Sequence, residues 1–247
     1  MGERNSLNSF QQRNRMLIEK MAQNQEIRRL TTEWFNASLG YEYLHHFSWL
    51  GIPIIQGPQD IIAMQEIIWK TKPDLIIETG IARGGSLVFY ASLLELIGHN
   101  GQVLGIDIDI RKHNRIKIEK HPLFKRICMI EGSSVDKDVV KKACKFAAGK
   151  KKVLVALDSN HTHNHVLQEL QAYSPLVTKN SYLIVFDTVI EDIPDKFCKG
   201  RPWDNTNNPK SAVREFLKTH HQFKIDKSIQ KKLLITVAPD GYLKRVR

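Results

Sequence analysis

Five short apolar runs mark the centre of this chain, at residues 74–78, 102–107, 126–131, 152–158 and 181–187. Between them lie stretches with apolar residues at helical spacing, at 85–97, 113–120, 136–148 and 162–177. Continuous apolar strands alternating with helices predict a parallel sheet buried on both faces. The last third changes rhythm. A helix is expected near 209–219, followed by Phe223-Lys224-Ile225-Asp226 and Leu233-Leu234-Ile235-Thr236-Val237. These two runs predict a hairpin that closes the sheet with an antiparallel strand. Upstream, Met16, Leu17, Ile18, Met21, Ile27, Leu30, Trp34 and Phe35 fall at roughly helical spacing within 11–47. One or two helices are expected there, packed on the main domain or on another subunit. The first ten or so residues are polar and expected to be mobile. Trp49 to Pro58 reads as a loop, and Asp60 as the cap of a helix running to Lys70. The expected organisation is an N-terminal helical extension over 1–48 and an α/β domain over 49–247.

Composition adds constraints. An apolar share of 42% over 247 residues supports an ordered core. The 37 Lys and Arg against 26 Asp and Glu leave a formal charge of +11. Such an excess fits either an anionic partner or a solvated basic surface. The cations are scattered and no aromatic residues interleave with them, so nucleic acid is not expected as a partner. Cys128, Cys144 and Cys198 are odd in number, widely spaced and free of any CxxC, which fits a reducing compartment without disulfides. No apolar run approaches the ~20 residues of a membrane span. The polar start lacks a signal-peptide core, and a cytoplasmic location is expected.

In open α/β sheets, ligands bind beyond the carboxyl ends of the strands. Those ends here carry Glu78, Asp107 with Asp109, Glu131 with Ser133, Asp158 and Asp187. After Glu78 comes a glycine loop, Gly80-Ile81-Ala82-Arg83-Gly84-Gly85-Ser86. Gly80 allows the tight turn, Gly84 and Gly85 let a helix N-terminus approach a ligand, and Ser86 is placed to cap that helix. Asp107, at the next strand tip, suits the ribose hydroxyls of an adenosine-bearing cofactor. The loop lacks the GxGxxG spacing of dinucleotide sites, so S-adenosylmethionine, which has no pyrophosphate, fits better. Glu78 would then face its ammonium group.

A second constellation pairs Asp158-Ser159-Asn160-His161-Thr162-His163-Asn164-His165 with Phe186-Asp187-Thr188. Asp158 and Asp187 on neighbouring strand tips suit a hard cation such as Mg²⁺, which would hold and acidify a substrate hydroxyl. His161 or His163 is the alternative as general base. His161 and His165 stand four apart, which allows a shared metal, but the glutamate of HExxH is missing. The plainer reading is that the three histidines line the start of a helix. Trp34, Trp49 and Trp203 are candidate pocket walls, and Pro194 to Pro209 is a candidate lid.

Leu75-Ile76-Ile77-Glu78-Thr79-Gly80, Gly84-Gly85-Ser86, Gly105-Ile106-Asp107-Ile108-Asp109, Glu131-Gly132-Ser133-Ser134, Leu157-Asp158-Ser159-Asn160-His161-Thr162 and Tyr182-Leu183-Ile184-Val185-Phe186-Asp187-Thr188 together carry a family likeness. In order, over roughly residues 50–245, they resemble the cephalosporin hydroxylase family, which includes rhamnosyl O-methyltransferases. The resemblance implies a Rossmann-like class I methyltransferase fold, S-adenosylmethionine as cofactor and a Mg²⁺ site. It implies that Glu78, Gly80, Gly84, Ser86, Asp107 and Ser133 line the cofactor pocket; Gly85, Asp109 and Asp158 are further cofactor-binding candidates. It further implies that Asp158 and Asp187 hold the metal. Where better-known members carry a Glu-Asp pair, this chain has Phe186-Asp187, so one implied ligand is absent. Glu191, Asp192, His161 or water would complete the shell, or the metal is weak or lost.

The expected function is S-adenosylmethionine-dependent O-methylation of a hydroxyl on a small molecule, sugar or glycolipid, by a homo-oligomer, with Asp158, His161 and His163 as catalytic candidates. An NAD-dependent oxidoreductase, a hydroxylase-type iron oxygenase and a non-catalytic binding module on the same fold are the alternatives.

Overall fold

The computed structural model describes residues 2–247, with side chains from Asn8 onward. The expectation of a mobile start falls largely on residues 1–7 and lies outside the described side chains. Two helices, α1 (Gly2–Gln23) and α2 (Gln25–Leu39), are separated at Asn24. The Asn24 side chain accepts the Ile27 N–H at 3.0 Å and so starts α2 afresh. The stretch expected to be loop holds a small antiparallel hairpin, β1 (Phe47–Trp49) and β2 (Ile52–Ile54). Its turn residues Leu50 and Gly51 both have positive φ, 46° and 86°, as a type I′ turn requires.

The alternating core follows: α3 (Pro58–Thr71), β3 (Leu75–Thr79), α4 (Gly85–Ile97), β4 (Gln102–Asp107), α5 (Lys112–Glu119), β5 (Ile127–Glu131), α6 (Lys137–Ala147), β6 (Val153–Leu157), α7 (His163–Tyr173) and β7 (Tyr182–Val185). After it come α8 (Pro209–Leu217), β8 (Phe223–Ile225), α9 (Lys227–Leu233) and β9 (Tyr242–Arg245). The sheet order is β5-β4-β3-β6-β7-β9-β8. The first five strands are parallel, and β9 runs antiparallel between β7 and β8. This is a Rossmann-like α/β sheet with N-terminal helices. Every residue of β3, β6 and β7 is buried, as unbroken apolar runs demand when helices cover both faces. One apolar cluster joins the sheet to α3, α4 and α9, and the other joins it to α6, α7 and α8. The chain winds outward from β3 to β5, then restarts at β6 on the other side of β3. That reversal opens a crevice between the tips of β3 and β6, where such sheets bind ligands.

Two local expectations are corrected. The run 233–237 is not a strand: α9 occupies its start, and the closing strand is β9. Asp226 caps α9 through the Ser228 N–H at 3.2 Å, and helix displaces hairpin there. Asp60 does not cap α3, because Gly57 is the cap and Pro58 takes the first helical position. The buried Asp60 carboxylate instead accepts from the Thr236 hydroxyl, the Val237 N–H at 3.0 Å and the Tyr242 hydroxyl at 2.7 Å. These bonds draw the apolar 234–237 segment onto the start of α3 rather than into the sheet. Burial pushes the Asp60 carboxyl above its ordinary range despite them. Among the described residues, no helix is long and apolar enough to cross a membrane.

Candidate active site

At the crevice lies a cavity of about 750 Å³, bordered by Gly80, Gly84, Gly85, Ser86, Asp107, Ser133, Asp158, His161 and Asp187, among others. They come from the tips of the five parallel strands and from the loops behind them. Gly80 is placed by necessity. Its φ is +90°, and a Cβ there would stand 2.0 Å from the Asp158 carbonyl oxygen, so only glycine lets β3 and β6 end side by side. Gly84 and Gly85 border the cavity, but their missing side chains make room for protein. A Cβ at Gly84 would strike Ile118, and one at Gly85 would strike Pro53 and Ile54 of β2. Close helix packing is therefore a second reason for this pair, beyond the approach to a ligand.

Asp107 organises the loop. One carboxylate oxygen accepts the N–H of Ile81 at 2.7 Å and of Ala82 at 3.2 Å, and the other accepts the Asp109 N–H at 3.1 Å. Asn114 holds the same turn by donating to the Ala82 carbonyl at 2.8 Å. Asp109 itself does not border the cavity; its carboxylate lies 3.7 Å from Arg111. Glu131 turns outward to Arg115 at 2.8 Å.

Glu78 lies beneath the cavity rather than on its wall, fully buried, and accepts from the Ser86 and Tyr90 hydroxyls. Ser86 thus serves Glu78 and not the end of α4. Burial pushes the Glu78 carboxyl up to about 8, with the charges of Asp158 and Asp107 adding to the rise and the Ser86 hydrogen bond opposing it. The sign of the linkage follows. A folded-state value above the unfolded 4.5 makes the contribution full below pH 4.5 and lost as pH rises through about 8. Glu78→Gln, which keeps a partner for both hydroxyls, is expected to flatten the fall in apo-protein Tm between these limits. The wild-type slope from this group is up to about 1.4 kcal/mol per pH unit. Thermal melts of both proteins from pH 5 to 9 check this, and parallel curves would reject it.

The second constellation does converge. One ligand atom each from Asp158, His161 and Asp187 lies within 4.8 Å of the others. His161 Nε2 stands 3.2 Å from Asp187 and 3.6 Å from Asp158. Burial works against charge on this imidazole, but Asp187 and Asp158 outweigh it and favour the protonated ring. Burial likewise raises Asp158. A ring held in its charged form donates to the carboxylates, and it takes an acceptor's proton only after losing its own. Trp203 lies beside it, with ring centroids 6.0 Å apart.

Other candidates are elsewhere. His163 does not border the cavity. Its ring meets Ser211 at 2.8 Å and Glu215 at 3.1 Å on α8, which sets aside its role as base. His165 reaches the cavity wall but turns Nε2 toward Ser134 at 3.0 Å and Ser159 at 3.2 Å, away from any site shared with His161. Glu191 is engaged by Arg214 and Asp192 by Lys210, so neither joins the cluster. Phe186 is buried in the apolar core. Of the groups named to complete the shell, His161 is the one that stands beside Asp158 and Asp187. Of the tryptophans, Trp203 borders the cavity, while Trp49 donates to Ser92 and Trp34 packs on Tyr43. The Pro194–Pro209 segment is well tied: Asp204 accepts from Thr206 and Asn207, and Asn207 joins it to the His163 N–H at 2.8 Å.

Sequence reasoning missed Gln56, and it missed an apolar wall from Phe35, Leu39 and Leu44, which the N-terminal segment contributes. Nothing in the spacing of those residues marks them, because they come from outside the alternating core.

The family model for rhamnosyl O-methyltransferase/CmcI matches residues 41–246. The chain belongs to that family, and so to the S-adenosylmethionine-dependent methyltransferases. A rhamnosyl O-methyltransferase of Mycobacterium tuberculosis (strain ATCC 25618 / H37Rv) is 30% identical over 203 residues, covering 80% of this chain and 78% of the relative. One from Mycobacterium leprae (strain TN) is 29% identical over 201 residues, covering 80% and 82%. Among solved structures, CmcI with Mg and SAM aligns at a TM-score of 0.58 with 18% identity, covering 82% of this chain and 78% of that one. That likeness shows the shared fold. Family membership removes the oxidoreductase alternative. A two-histidine, one-carboxylate oxygenase set is also not what the cluster offers, since it holds one histidine and two carboxylates.

Proposed function

We propose that the chain transfers the methyl group of S-adenosylmethionine to a sugar hydroxyl. The observation that carries this reading is the convergence of the Asp107-anchored glycine loop and the Asp158-His161-Asp187 cluster in one cavity. Strand order sets the order of subsites. The β5 and β4 tips, with Ser133 and Asp107, take the purine and the ribose. The β3 tip, with Gly80, takes the sulfur end, and the acceptor lies toward Asp158 and Asp187 behind the β6 and β7 tips.

Two carboxylates on adjacent tips fit Mg²⁺, with His161 as third ligand or as neighbour. Asp158 and Asp187 would hold that ion. When bound, the donor supplies an electrophilic methyl group and Mg²⁺ lowers the pKa of a coordinated hydroxyl. The chain's own contribution is alignment of the two reactants and exclusion of water. The sugar acceptor is favoured by the rhamnosyl O-methyltransferases among its relatives. The apolar wall of Phe35, Leu39, Leu44 and Trp203 beside the polar cluster suits a sugar carried on an apolar aglycone.

A thermal-shift comparison tests the donor. At about a hundredfold excess over Kd, S-adenosylhomocysteine is expected to stabilise the protein by about 3 kcal/mol, and NADH not at all. Stabilisation by NADH alone would reject the reading. Transfer of labelled methyl to rhamnosyl glycolipids, compared with free rhamnose, then tests the acceptor.

A further inference from the structure

Gln56 follows β2 and borders the cavity with only 3% of its surface exposed. Neither its Oε1 nor its Nε2 has a hydrogen-bond partner. Among the described residues that border the cavity, this is the one buried side chain left with both polar atoms unpaired. Burying an amide without a partner costs about 1–3 kcal/mol, so its retention points to a ligand that completes it. The Tyr90 hydroxyl lies close enough to feel the amide, but its proton is committed to Glu78 at 2.8 Å. Even with Nε2 donating to the Tyr90 oxygen, Oε1 would still lack a donor.

Position narrows the ligand. β2 packs against the start of α4, where Pro53 and Ile54 fill the space above Gly85. Gln56 therefore stands over the β3 tip, next to the Tyr90 hydroxyl that shares Glu78 with Ser86. Along the sheet, the β3 tip lies between the β4 and β5 tips, with Asp107 and Ser133, and the β6 and β7 tips, with the Asp158-His161-Asp187 cluster. With the ribose at Asp107 and the purine beyond it, the part of the donor that reaches this end is its amino-acid tail. That tail carries an ammonium donor and a carboxylate acceptor, so it satisfies the amide in either orientation.

We propose that Gln56 binds the amino-acid end of the methyl donor, as a recognition residue for S-adenosylmethionine and its demethylated product. Resting on the donor reading above, it assigns the third subsite of that cofactor. The residue orients the sulfur by fixing the tail on one side while Asp107 fixes the ribose on the other.

Calorimetry on Gln56→Leu with two probes tests this. S-adenosylhomocysteine carries the amino-acid tail and 5′-methylthioadenosine lacks it. Loss of a hydrogen bond to a charged group predicts about a ten- to hundredfold weaker S-adenosylhomocysteine affinity. The affinity for 5′-methylthioadenosine should stay unchanged, and the apo-protein Tm should hold or rise because the unpaired amide is gone. Gln56→Met, of similar length and also without the amide, carries the same comparison if the leucine variant does not fold. Unchanged S-adenosylhomocysteine binding, or equal loss for both probes, overturns the role. Wild-type protein that binds neither probe overturns the donor reading itself, and this role with it.

Discussion

Asp158→Ala and Asp187→Ala are each expected to bind S-adenosylhomocysteine as the parent does while methyl transfer falls about a thousandfold or more. The two aspartates stand just past the ends of β6 and β7, whereas the loop-anchoring Asp107 ends β4 and Ser133 stands just past β5. Removing a side chain from the first pair leaves the second untouched. The contact that binds β6 to the glycine loop is made by the Asp158 backbone carbonyl beside Gly80, so truncating its side chain spares that too. Folding should not suffer. Burial already raises the Asp158 carboxyl, which marks it as a group held against its preference for water. Calorimetric titration with S-adenosylhomocysteine, beside a labelled-methyl assay on the same preparations, separates binding from turnover. Activity within tenfold of the parent in both variants would mean that the acceptor is handled elsewhere.

The sheet and the cluster were legible in the sequence for one reason: each parallel strand is buried on both faces and ends in a polar residue at the same rim. The unbroken run 153–157 and the acid behind it signal strand and site together. Where a segment's fate depends on a distant partner, the signal fails. Leu233 to Val237 is apolar enough for a strand, yet the Asp60 carboxylate captures Thr236 and Val237, and that carboxylate looked like a helix cap. His163 is similar. Its place at the start of α7 matched a catalytic base, and only the packing of α8 shows its ring engaged by Ser211 and Glu215. Gln56 carried no pattern at all, since an unpaired amide is visible only once its neighbours are placed.

Asp107→Ala is expected to lower the affinity for S-adenosylmethionine and S-adenosylhomocysteine by about a hundredfold or more. Two losses combine. A carboxylate that accepts from ribose hydroxyls contributes about 1.5–3 kcal/mol, and each 1.4 kcal/mol is tenfold in Kd. The same carboxylate also holds the Ile81 and Ala82 N–H groups and so fixes the path of the glycine loop. Without it the loop must be ordered by the ligand, which weakens binding further. Ala82 makes this cost concrete, because it sits at φ 47°, a conformation an alanine holds only under restraint. Asp107→Asn separates the two contributions. Its amide oxygen still accepts from the loop, while its amide nitrogen no longer accepts from the ribose, so an intermediate affinity is expected. Hydrogen exchange at Ile81 and Ala82 should speed up in the alanine variant and remain near the parent in the asparagine one. Unchanged cofactor affinity in Asp107→Ala would remove the ribose from the β4 tip, and with it the order of subsites along the sheet.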